Sequence, residues 1–378
     1  MRRATTLLLT LLWAAIIGLS IARAQTDRDA EQTVARAVRE MLPDNGPSGA
    51  AVVLRINGRT QFYNYGLANA ALRRPVTPDA IFNLASVGKL FATTLLALAV
   101  KQGEMRLDDP VDKYVTELQK GGDIRDVTVG QIASHTSGLP REPGQYETWH
   151  RGTYSLSDYI RFLNAWQADP QHEPGQQDIY SNNAMVLLRV VLERRFKMPF
   201  ATLMHQRLTG PLGMNSTDLP LPPTLRSRAV QGYGPLGRPI GEPGVGESTH
   251  LVFPSTGQIF SSPRDMAAFL TANMGELPDH RSLQDAMAFA QQGVFKVNSR
   301  STQGLAWQIV SRGDLTIVDK NGGLPSTSTY IGWVPSTKTG IVILVNRGRQ
   351  KATGVGRMIL KELARDTDDP PIEGADPD

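Results

Sequence analysis

The dipeptide Asn57-Gly58 sits between two runs of β-forming residues, Ala50-Ala51-Val52-Val53-Leu54-Arg55-Ile56 and Arg59-Thr60-Gln61-Phe62-Tyr63-Asn64-Tyr65. A two-residue type I′ turn needs positive φ at both positions, which Asn and Gly supply at least cost, and its twist matches that of the strands it joins. The pattern predicts a β-hairpin, and with it an antiparallel sheet, near the start of the chain. Further strand patterning waits until the far end, at Leu305 to Val310, Leu315 to Val318, Thr329 to Val334 and Gly340 to Asn346. These runs imply one sheet that draws strands from both ends of the chain. An opening amphipathic helix from Ala30 to Leu42 and a closing one from about Ala352 to Leu363 flank them.

Between the two sets of strands the spacing of apolar residues is helical. An apolar run after Phe82 continues to Val100 and stops at Lys101 and Gly103, a last-turn cation and a C′ glycine. Leu107 to Leu118, Thr128 to Ala133, Leu156 to Trp166, Asn183 to Arg195, Phe200 to Leu208, Ser262 to Asn273 and Ser282 to Gln291 follow as helices. Pro220 to Pro254 is rich in Pro and Gly, the mark of either a functional loop that shapes a cleft or a disordered one. No internal repeat and no second independent domain is visible. The fold class is α/β (α+β), an antiparallel sheet flanked by helices with an inserted all-helical lobe. Its α/β lobe takes about residues 25–85 and 262–364, and its helical lobe about 86–261.

The chain ends carry their own signals. Arg2 and Arg3, an apolar core from Leu7 to Ile17, and Ala22-Arg23-Ala24 have the order of a secretory signal, residues 1–24, cleaved to leave Gln25 first. The product would be periplasmic or secreted, with no stable membrane insertion after cleavage. An uncleaved anchor is the alternative, although Leu7 to Ala22 falls short of the roughly 20 residues a spanning helix needs. The chain has no cysteine, which excludes a lipoprotein anchor, a thiol nucleophile and any disulfide. Residues 365–378, crowded with aspartate and proline, read as an acidic disordered tail. The formal net charge is +4 and the basic residues are scattered, so no nucleic-acid partner is expected.

Three stretches could carry chemistry. Ser86 and Lys89 stand three apart at the head of the Phe82 helix, on one face, where free backbone N–H groups and the positive dipole end favour charge developing on oxygen. A lysine there can take the serine proton if burial or nearby cations depress its pKa. Taken alone, Ser-x-x-Lys is a chance pattern in many chains. Tyr180-Ser181-Asn182 precedes a helix, where a phenol and an amide can project into a cleft. Lys320-Asn321-Gly322-Gly323 follows the strand Leu315 to Val318, with glycines that let a ligand approach the backbone. Asn321 reads as a turn residue, His135 as a structural hydrogen-bonder, and Trp149, Trp166, Trp307 and Trp333 as core.

In this order, Ser86-x-x-Lys89, Tyr180-x-Asn182 and Lys320-x-Gly322 resemble the penicillin-recognising serine hydrolases. The Tyr-x-Asn form is similar to class C β-lactamases and the related D-alanyl-D-alanine carboxypeptidases and esterases. Leu107-Asp108-Asp109-Pro110-Val111, His135-Thr136-Ser137-Gly138-Leu139-Pro140, Pro211-Leu212-Gly213-Met214 and Gly304-Leu305-Ala306-Trp307 extend the resemblance from about Ala50 to Leu363. It implies Ser86 as the acylated nucleophile, with Lys89 and Tyr180 as its proton relay, either of them the base. Asn182 would bind the substrate's side-chain amide, and Lys320 would steer its carboxylate. The backbone N–H groups of Ser86 and Gly323 would form the oxyanion hole, each such donor worth roughly 3 to 4 kcal/mol.

The resemblance implies no metal and no cofactor, and a monomer whose partner is a small β-lactam or a D-Ala-terminated peptide. Departures from the pattern bear on recognition. Asn321 replaces the usual threonine hydroxyl beside the substrate carboxylate, and Glu142 falls where class C enzymes place a glutamine against the acyl amide. Gly257 falls at their tyrosine wall, and Lys351 and Gly354 near their carboxylate-recognising pair. The expected activity is β-lactam hydrolysis through a Ser86 acyl-enzyme. The alternatives are a D,D-carboxypeptidase, endopeptidase or esterase on the same fold, or a penicillin-binding module that hardly deacylates, which Tyr180 argues against.

Overall fold

The computed structural model describes residues 27–142, 154–245 and 258–364. The leader-like segment 1–24, Trp149, Gly257, the tail 365–378 and part of the Pro220 to Pro254 stretch lie outside the described residues. Helix α1 spans 27–41. The predicted hairpin follows as β1 (Gly49–Ile56) and β2 (Arg59–Asn69), with Ile56 paired to Arg59 and both Asn57 and Gly58 at positive φ. A short β3 (Arg74–Pro75) ends this end of the sheet. The longer helices between are α2 (Lys89–Lys101), α3 (Leu156–Ala165), α4 (Asn182–Phe196), α5 (Pro263–Asn273) and α6 (Arg281–Ala290). The C-terminal strands are β4 (Phe295–Asn298), β5 (Ser301–Gln303), β6 (Gln308–Arg312), β7 (Leu315–Leu324), β8 (Thr327–Val334) and β9 (Thr339–Val345), closed by α7 (Ala352–Leu363).

These nine strands form one antiparallel sheet in the order β3-β2-β1-β9-β8-β7-β6-β5-β4. Strands from the two ends of the chain meet at its middle, where β1 pairs with β9 and Val52 lies opposite Ile343. Both faces of that pair are covered, so β1 and β9 read as unbroken apolar runs rather than as alternation. On one face Val52, Leu54, Ile317, Ile341 and Ile343 pack against Val34 and Val38 of α1 and Ile359 and Leu360 of α7. On the other, Ala51, Val53, Val318, Ile331, Val342 and Leu344 join a larger core that runs into α2, α4, α5 and α6. Each large aliphatic side chain buried this way contributes roughly 1.5–3 kcal/mol before entropy is counted. Helix α2 is buried along every residue from Lys89 to Ala99, as a helix that is apolar all round must be. It is the pillar that sets the Ser86 turn against the sheet. Among the described residues no helix is long and apolar enough to cross a membrane.

The structure differs from the sequence expectation in several places: Phe295–Asn298 and Ser301–Gln303 are strands, and the inserted lobe, expected to be all-helical, holds the short strands Gly232–Tyr233 and Pro239–Ile240. Leu107 to Leu118 is not one helix but a chain of 3₁₀ turns, Val111–Lys113, Thr116–Lys120 and Asp123–Asp126. Pro110 lacks an N–H, and the Asp109 carboxylate takes the Arg106 N–H and the Lys113 and Tyr114 side chains, which outcompetes a continuous helix. The strand expected from Leu305 begins at Gln308, because Ala306 turns left-handed at φ 60° and donates its N–H to Ala133. The strand expected to stop at Val318 runs on to Leu324.

Candidate active site

Ser86 lies in a 3₁₀ turn, Ala85–Gly88, that leads into α2 rather than in the helix itself. The chain enters it through a two-residue pairing of Phe82–Asn83 with Phe260–Ser261, then swings through Ala85 at φ 48°. The Asn83 side chain holds that bend by accepting the Ala85 N–H at 2.9 Å. In a 3₁₀ turn residues three apart eclipse one another, so Ser86 and Lys89 are brought together more closely than on an α-helix face. The Lys89 Nζ donates to Ser86 Oγ at 2.9 Å.

The Tyr180 hydroxyl reaches the same Ser86 oxygen at 2.6 Å. His135 holds the bend that presents it. At φ 60°, His135 accepts the Ile179 N–H on its carbonyl (2.7 Å) and the Ser181 N–H on Nδ1 (3.3 Å), and its ring lies 4.6 Å from the tyrosine ring. Both residues flanking Tyr180 thereby donate their N–H groups to one residue. Burial, with the charges of Lys320 and Lys89, holds the His135 pKa well below the usual histidine range, so the ring is neutral and its proton sits on Nε2.

Three cations surround the phenol: Lys89 and Lys320 each place Nζ 5.0 Å from the ring centroid, and Arg141 its guanidinium carbon at 5.4 Å. Lys89 is fully buried. Burial pushes its pKa down to about 7, with Arg141 adding to the shift and the Glu142 carboxylate opposing it. The Lys320 pKa is lowered for the same first reason, with Lys89 adding to it and Tyr180, Asp178 and Asp319 opposing. An amine whose pKa is lowered to about 7 and a phenol, both on one serine oxygen, are suited to accept and return its proton.

Lys320, Asn321, Gly322 and Gly323 belong to β7, not to a turn. β6 pairs only with Leu315 to Asp319, so beyond Asp319 the strand is paired on the β8 side alone and its other edge is free. Gly322 lies against the Ser86 turn: a Cβ there would stand 2.8 Å from the Ser86 nitrogen, 2.9 Å from the Leu84 oxygen and 2.4 Å from Thr329 Oγ1. Around Gly323 there is open space. Asn321 does not join the others. It pairs across with Tyr330, so it projects from the opposite face to Lys320, into a cavity of about 460 Å³ shared with Arg349, Gln350 and Thr353.

On the far side of Tyr180, Asn182 opens α4, and its Nδ2 donates to Glu142 Oε1 at 2.6 Å. The Arg141 carbonyl accepts the N–H groups of Asn182 and Asn183, so the turn that carries Glu142 also caps the helix that carries Asn182. The structure thus gathers Ser86, Lys89, Tyr180 and Lys320, seats Gly323 on the adjoining free edge, and sets the Asn182–Glu142 pair beside them. Arg141 and the clamp by His135 escaped sequence reasoning. His135 stands before Thr136-Ser137-Gly138, which signals a turn but not what the turn holds, and Arg141 carries no local signal.

A sequence profile of the family described as Beta-lactamase matches residues 34–364. A β-lactamase of Pseudomonas fluorescens is 27% identical over 360 residues, covering 86% of this chain and 96% of that protein. Among solved structures, a class C β-lactamase superimposes with a TM-score of 0.80 at 25% identity over 90% of this chain and 98% of its own. A D-alanine carboxypeptidase from Burkholderia cenocepacia does so with 0.77 at 27%, over 89% and 99%.

Proposed function

This chain belongs to the β-lactamase family, as a serine hydrolase of the class C fold, and from that premise we propose that it is an exported enzyme that opens β-lactam rings through an acyl-enzyme on Ser86. The observation that carries the reading is the convergence of the Lys89 amine and the Tyr180 hydroxyl on Ser86 Oγ. Ser86 Oγ attacks the carbonyl carbon, and its proton passes to the Lys89–Tyr180 pair. The ring C–N bond breaks, and the departing nitrogen takes that proton back. Water then attacks the ester carbonyl and gives a proton to the same pair, the bond from the carbonyl carbon to Ser86 Oγ breaks, and the pair returns the proton to Ser86 Oγ. The Ser86 and Gly323 N–H groups hold the oxyanion between the turn and the free edge of β7. Lys320 offers its charge to a substrate carboxylate.

A second reading keeps the mechanism and changes the substrate to a D-Ala-terminated peptide or an ester. The observation favouring it is Glu142, which occupies the Asn182 amide that the first reading gives to the acyl group. One experiment separates the readings. Hydrolysis of a chromogenic cephalosporin and release of D-Ala from a D-Ala-D-Ala peptide are measured with Ser86→Ala alongside and intact mass taken during turnover. Fast cephalosporin turnover lost in the variant supports the first reading. Peptide turnover with a lasting antibiotic adduct supports the second, and full activity of Ser86→Ala refutes both. Export is read from the N-terminus of protein in the periplasmic fraction, expected at Gln25.

A further inference from the structure

We propose that Glu142 turns the Asn182 side of this cleft into a subsite for an ammonium group, so that the preferred acyl donors carry a free α-amine beside the scissile carbonyl. The proposal rests on the Ser86 reading above. Asn182 follows Tyr180 by two residues, and Tyr180 touches the nucleophile, so a group at Asn182 faces the acyl portion of whatever Ser86 attacks. The Glu142 carboxylate stands at that position. It lies 2.6 Å from Asn182 Nδ2, and its charge reaches the buried Lys89.

The charge has little to neutralise it. The Glu142 side chain is 24% exposed, and among the described residues its one cation within 4 Å is Arg141, whose Nε is 3.9 Å away. The Arg141 side chain is 71% exposed and lies over the Tyr180 ring, so it is spread between two roles and largely in water. Among the described residues Glu142 has no cation closer than Arg141, and its side chain is mostly withdrawn from solvent, a state that an incoming cation relieves.

The hydrogen-bond inventory points the same way. An ionised carboxylate only accepts, and because Asn182 turns its Nδ2 toward Glu142, the other end of the amide is its oxygen, a second acceptor. A neutral acyl-amide oxygen brought here meets acceptors and a negative charge. An ammonium group brings three donors and one positive charge to the same two oxygens. Discrimination by a site whose polar groups would otherwise stay unpaired is strong, and about tenfold or more is expected here.

The test uses the mature enzyme and two substrate pairs in which one member carries the free α-amine and the other carries it acylated: 6-aminopenicillanic acid against benzylpenicillin, and D-alanine p-nitroanilide against N-acetyl-D-alanine p-nitroanilide. Values of kcat/KM and acylation followed by intact mass are taken below the amine pKa, for the parent, Glu142→Gln and Ser86→Ala. The parent is expected to favour the amine-bearing member of each pair by about tenfold or more. In Glu142→Gln the ratio falls toward one, chiefly through KM of the amine-bearing member. The ratio isolates the subsite, because any effect of the substitution on Lys89 acts on both members alike. Equal or higher kcat/KM for the amine-less members, or a ratio unchanged in Glu142→Gln, overturns the proposal and leaves the Ser86 mechanism standing. Hydrolysis that survives in Ser86→Ala, or no adduct and no turnover with any of the four, overturns the Ser86 reading and this one with it.

Discussion

Substituting Gly322 by alanine adds a single methyl group at the seam between β7 and the nucleophile turn. The methyl would stand 2.4 Å from Thr329 Oγ1, 2.8 Å from the Ser86 nitrogen and 2.9 Å from the Leu84 oxygen, all closer than real contacts allow. Two of the three are backbone atoms. The third is held in place, since Thr329 is fully buried and its hydroxyl donates to the Leu84 carbonyl at 2.8 Å. The contact is relieved only by moving the strand or the turn by several tenths of an ångström. Overpacking of this kind costs about 1–3 kcal/mol of stability. Catalysis suffers more, because Ser86, Lys89 and Tyr180 meet within hydrogen-bond distance, and a displacement of about 1 Å at such a centre costs on the order of 100-fold. Gly323→Ala is the internal control: its methyl meets no atom within 4 Å, and its backbone N–H is kept. Steady-state hydrolysis of a chromogenic cephalosporin and a thermal melt of both variants are the assay. The expected result is a kcat/KM loss of about 10–100-fold with a melting point lowered by a few degrees for Gly322→Ala, and near-parental behaviour for Gly323→Ala. A Gly322→Ala enzyme within twofold of the parent, or equal damage from Gly323→Ala, would refute the packing argument.

Lys89 predicts a rise of kcat/KM with pH through about 7. Since Glu142 raises that pKa and Arg141 lowers it, Glu142→Gln should move the limb to lower pH and Arg141→Ala to higher, as read from pH profiles of the chromogenic reaction. The folded-state pKa of Lys89 lies below the ordinary 10.5, so between about 7 and 10.5 the unfolded chain holds the extra proton. Stability from this group therefore rises with pH across that window and is lowest below it, and Lys89→Met flattens the rise seen in denaturant midpoints. Asp319→Ala strips the partner from Arg357, 2.7 Å away, and from the Tyr330 hydroxyl at 2.9 Å, on the face of the sheet opposite Lys320. A loss of about 3–5 kcal/mol in urea unfolding is expected, as for other broken buried pairs. His135→Asn, which tolerates positive φ and offers an acceptor, should keep more kcat than His135→Ala, which frees the bend carrying Tyr180. Equal kcat for the two would mean that the clamp does nothing for catalysis.

The features legible in the sequence are those decided by local chemistry. Asn57-Gly58 suited a tight hairpin turn between two β-forming runs, and α4, α5, α7 and the C-terminal end of α2 came through close to their observed bounds. What was not legible depends on residues far apart in the chain. Gly322 and Gly323 read as glycines that let a ligand approach the backbone, yet at Gly322 glycine is needed because β7 runs against the Ser86 turn. Ala85, His135 and Ala306 adopt left-handed conformations that no local pattern announces: the Asn83 side chain holds the first, and the distant partners Ile179 and Ala133 hold the other two. The Ser86, Lys89, Tyr180 and Lys320 cluster was suggested by motif order. Its protonation was not, because the pKa of Lys89 follows from burial that no local pattern announces. Asn321 shows the converse limit: its place in the motif suggested a role beside Lys320, and strand alternation sends it to the other face.

The pairing of β1 with β9 has a consequence for how the molecule comes into being. Val52 lies opposite Ile343, so a buried seam at the middle of the sheet joins segments that a ribosome makes almost a full chain apart. Until β9 has emerged, the β1–β2 hairpin presents a bare apolar edge, and β7 cannot be held against the Ser86 turn. Contacts of such long sequence separation close slowly, because loop entropy is lost before they repay it. The nascent chain therefore stays unlocked and inert for nearly the whole of its synthesis, open to whatever machinery handles unfolded polypeptides, and becomes an enzyme only when its last strand arrives.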